Sequence, residues 1–127
     1  MKKTMSQVNT ILLVEDEPAL RRVLADTLQE SGFTVEEAES ADNAWDMVHH
    51  GLHFDLLLTD IRMPGLLNGL DLARKVHLSK GRVPIIVMSA YSELARDESD
   101  FDAFLAKPFN AAKLTATLSR ITSAGRT

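Results

Sequence analysis

The stretch from Phe54 to Gly65 constrains the fold more than any other part of the sequence. Its first half is almost wholly apolar and too short for a buried helix, so it predicts a central strand that is covered on both faces. Asp60 stands where this strand ends, and Pro64 with Gly65 forces a turn soon afterwards. The sequence therefore directs one carboxylate into a loop at the end of a buried strand.

Short apolar strands alternate with amphipathic helices along the whole chain. Four further strands are predicted at 11–14, 33–38, 83–88 and 101–106. Helices are predicted from Pro18 to Gly32, from Ser40 to Gly51, from Leu66 to Gly81 and from Asn110 to Ile121, and the polar segment 91–99 has room for a short fourth one. This alternation predicts an α/β domain, with a parallel sheet and helices on both of its faces.

Length and composition limit the chain to one domain. The 127 residues, 45% of them hydrophobic, are enough for one real core. We expect a domain over 10–124, with a flexible segment at 1–9 and a tail at 125–127. The net charge of −4 argues against non-specific attraction to nucleic acid. The sequence contains no cysteine and no apolar run near the ~20 residues of a membrane span, so we expect a cytoplasmic protein without membrane insertion.

Polar side chains end four of the five predicted strands: Glu15 with Asp16, Asp60, Ser89 and Lys107. Ligands of an open parallel sheet collect outside the carboxyl ends of its strands, so these side chains should converge. Crowded carboxylates repel one another unless a cation shares them, and an all-oxygen set without His or Cys suits Mg²⁺. We expect Asp16 and Asp60 to be direct ligands and Glu15 to act through water.

A carboxylate, a metal ion, an ammonium and a hydroxyl in one place suit phosphoryl transfer. Positioning and charge neutralisation supply most of the catalysis in that reaction. Asp60 would attack phosphorus and become an acyl phosphate. Lys107 would pair with Asp60 or with an anion beside it, and Ser89 would donate a hydrogen bond.

From Ile11 to about Ile121 the chain resembles the receiver domains of two-component response regulators. The acidic pair of that family matches Glu15-Asp16, and its Asp-x-x-x-Pro phosphoacceptor pattern matches Asp60 with Pro64. Its switch Ser/Thr matches Ser89, and its Lys-Pro matches Lys107-Pro108. Four such signatures, in the right order and at strand ends, make a specific signal.

The resemblance implies a flavodoxin-like (βα)5 three-layer sandwich with a five-stranded parallel sheet in the order 2-1-3-4-5. It also implies Mg²⁺-dependent transfer of a phosphoryl group to Asp60 from a sensor histidine kinase or a histidine phosphotransfer protein. The output would go to a downstream protein partner, without direct contact to nucleic acid. The chain would not be an enzyme, apart from its own phosphorylation and dephosphorylation.

Further roles follow from the resemblance alone. The backbone carbonyl of Arg62 would be a third protein ligand of Mg²⁺. Phe104 matches the aromatic residue whose rotamer reports phosphorylation, and Arg62 and Tyr91 match positions that tune hydrolysis of the acyl phosphate. The Lys107-Pro108 peptide is commonly cis in such domains.

The sequence departs from the commonest family pattern in three places. The acidic pair is Glu-Asp rather than Asp-Asp, which is a common variation. The interval from Pro64 to Gly69 is one residue longer, and the segment from Ser89 to Lys107 is several residues shorter. Both features resemble a subgroup of stand-alone or hybrid-kinase receivers with a shortened fourth helix.

Two other classes of protein remain as alternatives. A haloacid-dehalogenase-type phosphatase would also use an aspartyl nucleophile, but it normally has a second Asp two residues later, where this chain has Arg62. A flavodoxin-like FMN-binding module needs a phosphate loop rich in hydroxyl groups and glycine after the first strand. The run Glu15-Asp16-Glu17 is electrostatically the opposite of such a loop.

Overall fold

The computed structural model describes residues 8–90 and 100–123. The elements in chain order are β1 (Thr10–Val14), α1 (Pro18–Glu30), β2 (Thr34–Ala38), α2 (Ala41–His49), β3 (Leu56–Asp60), α3 (Gly69–Lys80), β4 (Ile85–Ser89), β5 (Ala103–Ala106) and α4 (Ala111–Ser123). No helix in the described part of the chain is both long and apolar enough to cross a membrane.

Some predictions concern parts of the chain outside the described residues. These are the short helix predicted at 91–99, which includes Tyr91, the tail at 125–127, and the flexible segment at 1–9 except for Val8 and Asn9.

The five strands form one parallel sheet in the order β2-β1-β3-β4-β5. Every residue of β3 and of β4 is buried, as expected for continuous apolar runs in the middle of a parallel sheet. The edge strand β2 mixes polar and apolar residues and is partly exposed. The predicted fold class and strand order are therefore confirmed.

Helices cover both faces of the sheet and bury two separate apolar clusters. We call these the α1–α4 core and the α2–α3 core, after the helices that pack on each face. Side chains along a strand alternate between the two clusters. In β3, Leu56 and Leu58 belong to the α1–α4 core, whereas Leu57 belongs to the α2–α3 core.

The start of α3 differs from the sequence prediction. We expected Leu66 to lie on the buried stripe of this helix, but its side chain is 94% exposed. The helix begins at Gly69 because Asn68 and Asp71 form a reciprocal capping box, in which each side chain accepts a hydrogen bond from the other's backbone N–H, at 2.9 Å in both cases. Leu66 therefore belongs to the loop between β3 and α3, and the prediction for it was wrong.

Candidate functional site

Three of the predicted site residues are in direct contact at the carboxyl edge of the sheet. The Nζ atom of Lys107 donates hydrogen bonds to Oε1 of Glu15, at 2.7 Å, and to Oδ2 of Asp60, at 3.0 Å. The two acceptors lie 92 and 47 residues away along the chain. One ammonium therefore bridges two carboxylates at the carboxyl ends of different strands of the sheet.

Strand alternation explains why these three side chains share one face of the sheet. Each of them stands two positions after a residue of the α1–α4 core, and these core residues are Leu13, Leu58 and Leu105. Because residues two positions apart lie on the same face of a strand, Glu15, Asp60 and Lys107 continue that face beyond the apolar core.

Asp60 is the last residue of β3, and its side chain is largely buried. Its Oδ1 atom accepts a hydrogen bond from the backbone N–H of Ile61 at 2.8 Å, while Oδ2 faces Lys107. The backbone of Gly69 lies directly against that of Asp60, so a Cβ atom at position 69 would overlap the Asp60 carbonyl oxygen. The first residue of α3 is thus packed against the candidate phosphoacceptor.

The carboxylates of Glu15, Asp16 and Asp60 form a cluster that could hold a metal ion. One oxygen from each lies within 4.8 Å of the others. An all-oxygen, anionic set suits a hard divalent cation such as Mg²⁺. Both oxygens of Glu15 already accept hydrogen bonds, one from Lys107 and one from the Glu17 N–H at 3.1 Å, whereas Asp16 is exposed. This difference favours Asp16 as a direct ligand, while direct binding by Asp60 and binding by Glu15 through water remain predictions.

Ser89 and Phe104 lie on the other face of the sheet. Ser89 is buried at the end of β4, in phase with Ile85 and Val87 of the α2–α3 core, and Phe104 packs against the same core while half-buried. The backbone N–H of Lys107 donates to the Ser89 carbonyl at 2.9 Å, so the hydroxyl-bearing residue is joined to the lysine through the backbone. Their role as a switch pair remains a prediction.

The remaining predicted site residues are less defined. Arg62 is exposed, two residues beyond Asp60. Its backbone role as a metal ligand and its influence on hydrolysis remain predictions, and Tyr91 is outside the described residues. The Lys107-Pro108 peptide is cis, as the resemblance implies.

Two polar residues at this edge were not found from the sequence. Arg21 of α1 donates from Nη1 to the backbone carbonyl of Glu15 at 2.7 Å, and Asp42 of α2 binds two backbone N–H groups of the loop after β3. Both contact backbone atoms of distant segments. Residues of every type offer backbone carbonyls, and nearly all offer backbone N–H groups. The spacing of residues in the sequence therefore does not predict these contacts.

Burial and hydrogen bonding act in opposite directions on the charged groups of this site. Burial lowers the pKa of the Lys107 ammonium, but its hydrogen bonds to Glu15 and Asp60 outweigh this effect and raise the pKa above its ordinary 10.5. Burial also raises the pKa of the Glu15 carboxyl above 4.5, against the hydrogen bonds from Lys107 and from the Glu17 N–H. At neutral pH, Lys107 is therefore firmly charged, while ionised Glu15 is disfavoured by its surroundings.

We expect Glu15→Gln to raise the free energy of unfolding at pH 7 in metal-free buffer. Because folding raises the pKa of Glu15, its stabilising contribution is present below about pH 4.5 and is lost as the pH rises through the folded-state pKa. Glutamine removes the buried charge and keeps an oxygen that can accept from Lys107. Urea unfolding at pH 4 and pH 7 should show a gain for the variant only at pH 7; a less stable variant at pH 7 would contradict this prediction.

Comparison with known proteins points to one family. A family model described as the response regulator receiver domain matches residues 11–119. The chemotaxis protein CheY of Pseudomonas aeruginosa is 33% identical over 118 residues, which cover 87% of this chain and 94% of that protein. The transcriptional regulatory protein ResD of Bacillus subtilis is 35% identical over 114 residues, which cover 84% of this chain and 45% of ResD. The chain thus spans nearly all of the first relative and about half of the second.

Solved structures give the same likeness in three dimensions. The response regulator protein TrrA of Thermotoga maritima, in complex with Mg²⁺-BeF, superposes with a TM-score of 0.81 at 33% identity, covering 89% of this chain and 98% of that one. The receiver domain of a sensor histidine kinase from Pseudomonas aeruginosa, with a magnesium ion coordinated in its active-site cleft, has a TM-score of 0.77 at 28% identity. That match covers 91% of this chain and 98% of the other.

Proposed function

Since this chain belongs to the response regulator receiver domains of two-component signalling, we propose that Asp60 accepts a phosphoryl group from a phosphorylated histidine. The donor would be a sensor histidine kinase or a histidine phosphotransfer protein. The observation that carries this proposal is the bridge from Lys107 to both Asp60 and Glu15, beside the exposed Asp16. This arrangement supports the proposal because it brings a carboxylate, an ammonium and a second acidic group together, as phosphoryl transfer to Asp60 with Mg²⁺ requires.

We propose that Asp16, Asp60 and the Arg62 carbonyl hold Mg²⁺, with Glu15 acting through water. Bound there, Mg²⁺ would supply positive charge to the oxygens of the transferring phosphoryl group. The chain's own contribution is to keep the carboxylates close together and to hold Lys107 beside them. The backbone N–H of Ile61 fixes one oxygen of Asp60, so the carboxylate is oriented before a donor arrives.

The transfer step forms one bond and breaks another. An oxygen of the Asp60 carboxylate attacks phosphorus, and a P–O bond forms as the P–N bond of the phosphohistidine breaks. The electron pair of the P–N bond leaves on the imidazole nitrogen, which takes up a proton. The product is an acyl phosphate on Asp60, and the Lys107 ammonium balances part of its charge.

The new phosphoryl group would then change the neighbouring strand. It adds negative charge and strong acceptor oxygens beside β4, where Met88 pairs with Asp60 in the strand register. We infer that the Ser89 hydroxyl turns towards the phosphoryl group and that Phe104 moves with it. The surface formed by β5 and α4 would thereby be altered for a downstream protein partner. We infer that this exchange takes place in the cytoplasm, which is consistent with the cysteine-free sequence.

We also infer that the chain's chemistry is confined to its own phosphorylation and dephosphorylation. Arg62 occupies the position where a dehalogenase-type phosphatase would carry its general acid. We propose that Arg62 and Tyr91 instead tune the attack of water on the acyl phosphate. Decay of the phosphorylated species after removal of the donor, compared between the parent and variants at these two positions, measures that rate.

The proposed function can be tested with a small phosphodonor. The parent is expected to gain one phosphoryl group from acetyl phosphate in the presence of Mg²⁺ and none after chelation, as measured by intact mass. Asp60→Asn should gain none under either condition. Asp46→Asn, an exposed position on α2, serves as a control that should behave like the parent. Metal-independent labelling, or labelling of Asp60→Asn, would overturn the proposal.

A further inference from the structure

A carboxylate from a distant part of the chain holds the loop that follows Asp60. Asp42, in the first turn of α2, accepts hydrogen bonds from the backbone N–H groups of Leu66, at 2.8 Å, and Leu67, at 3.0 Å. The exposed side chain of Leu66 gives its part of the loop little apolar packing. Two charge-assisted hydrogen bonds therefore fix the backbone at this point.

Gly65 lets the loop approach Asp42 closely. Its φ angle is +117°, in the region that side chains disfavour, and a Cβ atom there would overlap Oδ2 of Asp42. The glycine and the carboxylate thus fit together as one contact. This contact lies in the interval of the sequence that is one residue longer than the commonest family pattern.

The start of the same loop is hydrogen-bonded to the phosphoacceptor, and the end of the loop is hydrogen-bonded to its start. At its start, the Ile61 N–H donates to Oδ1 of Asp60 at 2.8 Å, and at its end the Gly69 N–H donates to the Ile61 carbonyl at 2.7 Å. Along the chain, Arg62 lies between Ile61 and the residues that contact Asp42. The loop that carries the Arg62 carbonyl, the expected metal ligand, is consequently held by hydrogen bonds at three points. The helix α2 provides one of these points through Asp42.

We propose that Asp42 is a positioning residue for metal binding at Asp60, because its carboxylate fixes the loop from which Arg62 presents its backbone carbonyl. The proposal rests on the proposed function of the site. It extends the site to α2, a helix that contributes no metal ligand. A carboxylate in the first turn also favours α2 through the helix dipole, so stability alone does not test this role.

The test compares Asp42→Asn with Asp46→Asn on the same helix, where Asp46 pairs with His50 of that helix at 3.5 Å. Groups that orient metal ligands contribute about 10- to 100-fold to affinity, and Asp42 acts on the ligand through the loop, so we expect a rise in the Mg²⁺ dissociation constant of about 3- to 10-fold. Calorimetric titration of Mg²⁺ without a phosphodonor measures it. Hydrogen exchange of the Leu66 and Leu67 amides should accelerate in Asp42→Asn only.

Several outcomes would overturn the proposal. One is an unchanged Mg²⁺ dissociation constant, whether or not the two amides exchange faster, and another is an equal rise in Asp46→Asn. If Asp42→Asn fails to fold, Gly65→Ala moves the loop away from Asp42 without altering α2, and the same rise in the Mg²⁺ dissociation constant is expected. A parent that binds Mg²⁺ but takes up no phosphoryl group would instead count against the proposed function, so the two failures are distinguishable.

Discussion

Replacing Lys107 with methionine is expected to slow phosphoryl uptake by Asp60 about a hundredfold, because it removes a fixed cation from the transferring group. The same change should tighten Mg²⁺ binding. In the parent, the Lys107 ammonium already neutralises part of the charge on Glu15 and Asp60, at 2.7 Å and 3.0 Å. Without it, the two carboxylates repel each other more strongly, and a divalent cation relieves more of that repulsion.

These opposite effects separate a role in the chemistry from general damage to the site. Uptake from acetyl phosphate is followed by intact mass at saturating Mg²⁺, and Mg²⁺ affinity is measured by calorimetry. Lys113→Met, at an exposed position of α4, is the matched control and should change neither value. Slow uptake combined with weaker Mg²⁺ binding would show that the variant has lost the site's structure, and the proposed role of Lys107 would then fall.

Gly69→Ala is expected to lower the free energy of unfolding by about 3 kcal/mol, the upper part of the usual range for inserting an atom into a packed region. Helix propensity alone predicts the opposite sign, because Ala is favoured over Gly within helices by about 1 kcal/mol. The added Cβ would overlap the carbonyl oxygen of Asp60 and crowd Cα of Ile61. Both are backbone atoms of a buried segment, so the start of α3 or the end of β3 must move.

Urea unfolding of Gly69→Ala and of Arg74→Ala distinguishes the two effects. Arg74 is exposed on the same helix, and its replacement should change the free energy of unfolding by no more than about 0.5 kcal/mol. Because the clash displaces Asp60 itself, the glycine variant should also take up the phosphoryl group more slowly than Arg74→Ala. A Gly69→Ala variant as stable as the parent would contradict this prediction, because the backbone of β3 would then accommodate the added Cβ atom without loss of stability.

Much of this architecture can be predicted from patterns in the sequence. Apolar runs that end in Asp60, Ser89 and Lys107 identify strands of a parallel sheet, and the geometry of such a sheet brings strand ends to one edge. The meeting of Glu15, Asp60 and Lys107 therefore follows from local patterns combined with one topological rule. The choice of Mg²⁺ follows similarly from the oxygen-only chemistry of the side chains.

Other features depend on contacts that no local pattern encodes. The apolar spacing that marks α3 extends back to Leu66, and only the capping box between Asn68 and Asp71 stops the helix short of it. The sequence contains that capping pair, but the prediction rested on hydrophobic periodicity and did not consider it. The sequence around Asp42 contains no comparable motif, because the hydrogen-bond partners of Asp42 are backbone N–H groups 24 and 25 residues away.

The alternation of side chains along the strands limits which insertions and deletions the chain can tolerate. Glu15, Asp60 and Lys107 meet because each stands an even number of positions after its own core residue. Deleting one residue between Leu105 and Lys107 would carry the ammonium to the opposite side of the sheet, since a one-residue slip exchanges the two faces. A loop such as 61–68 can gain a residue and remain anchored, whereas the ends of β1, β3 and β5 cannot change length without dismantling the site.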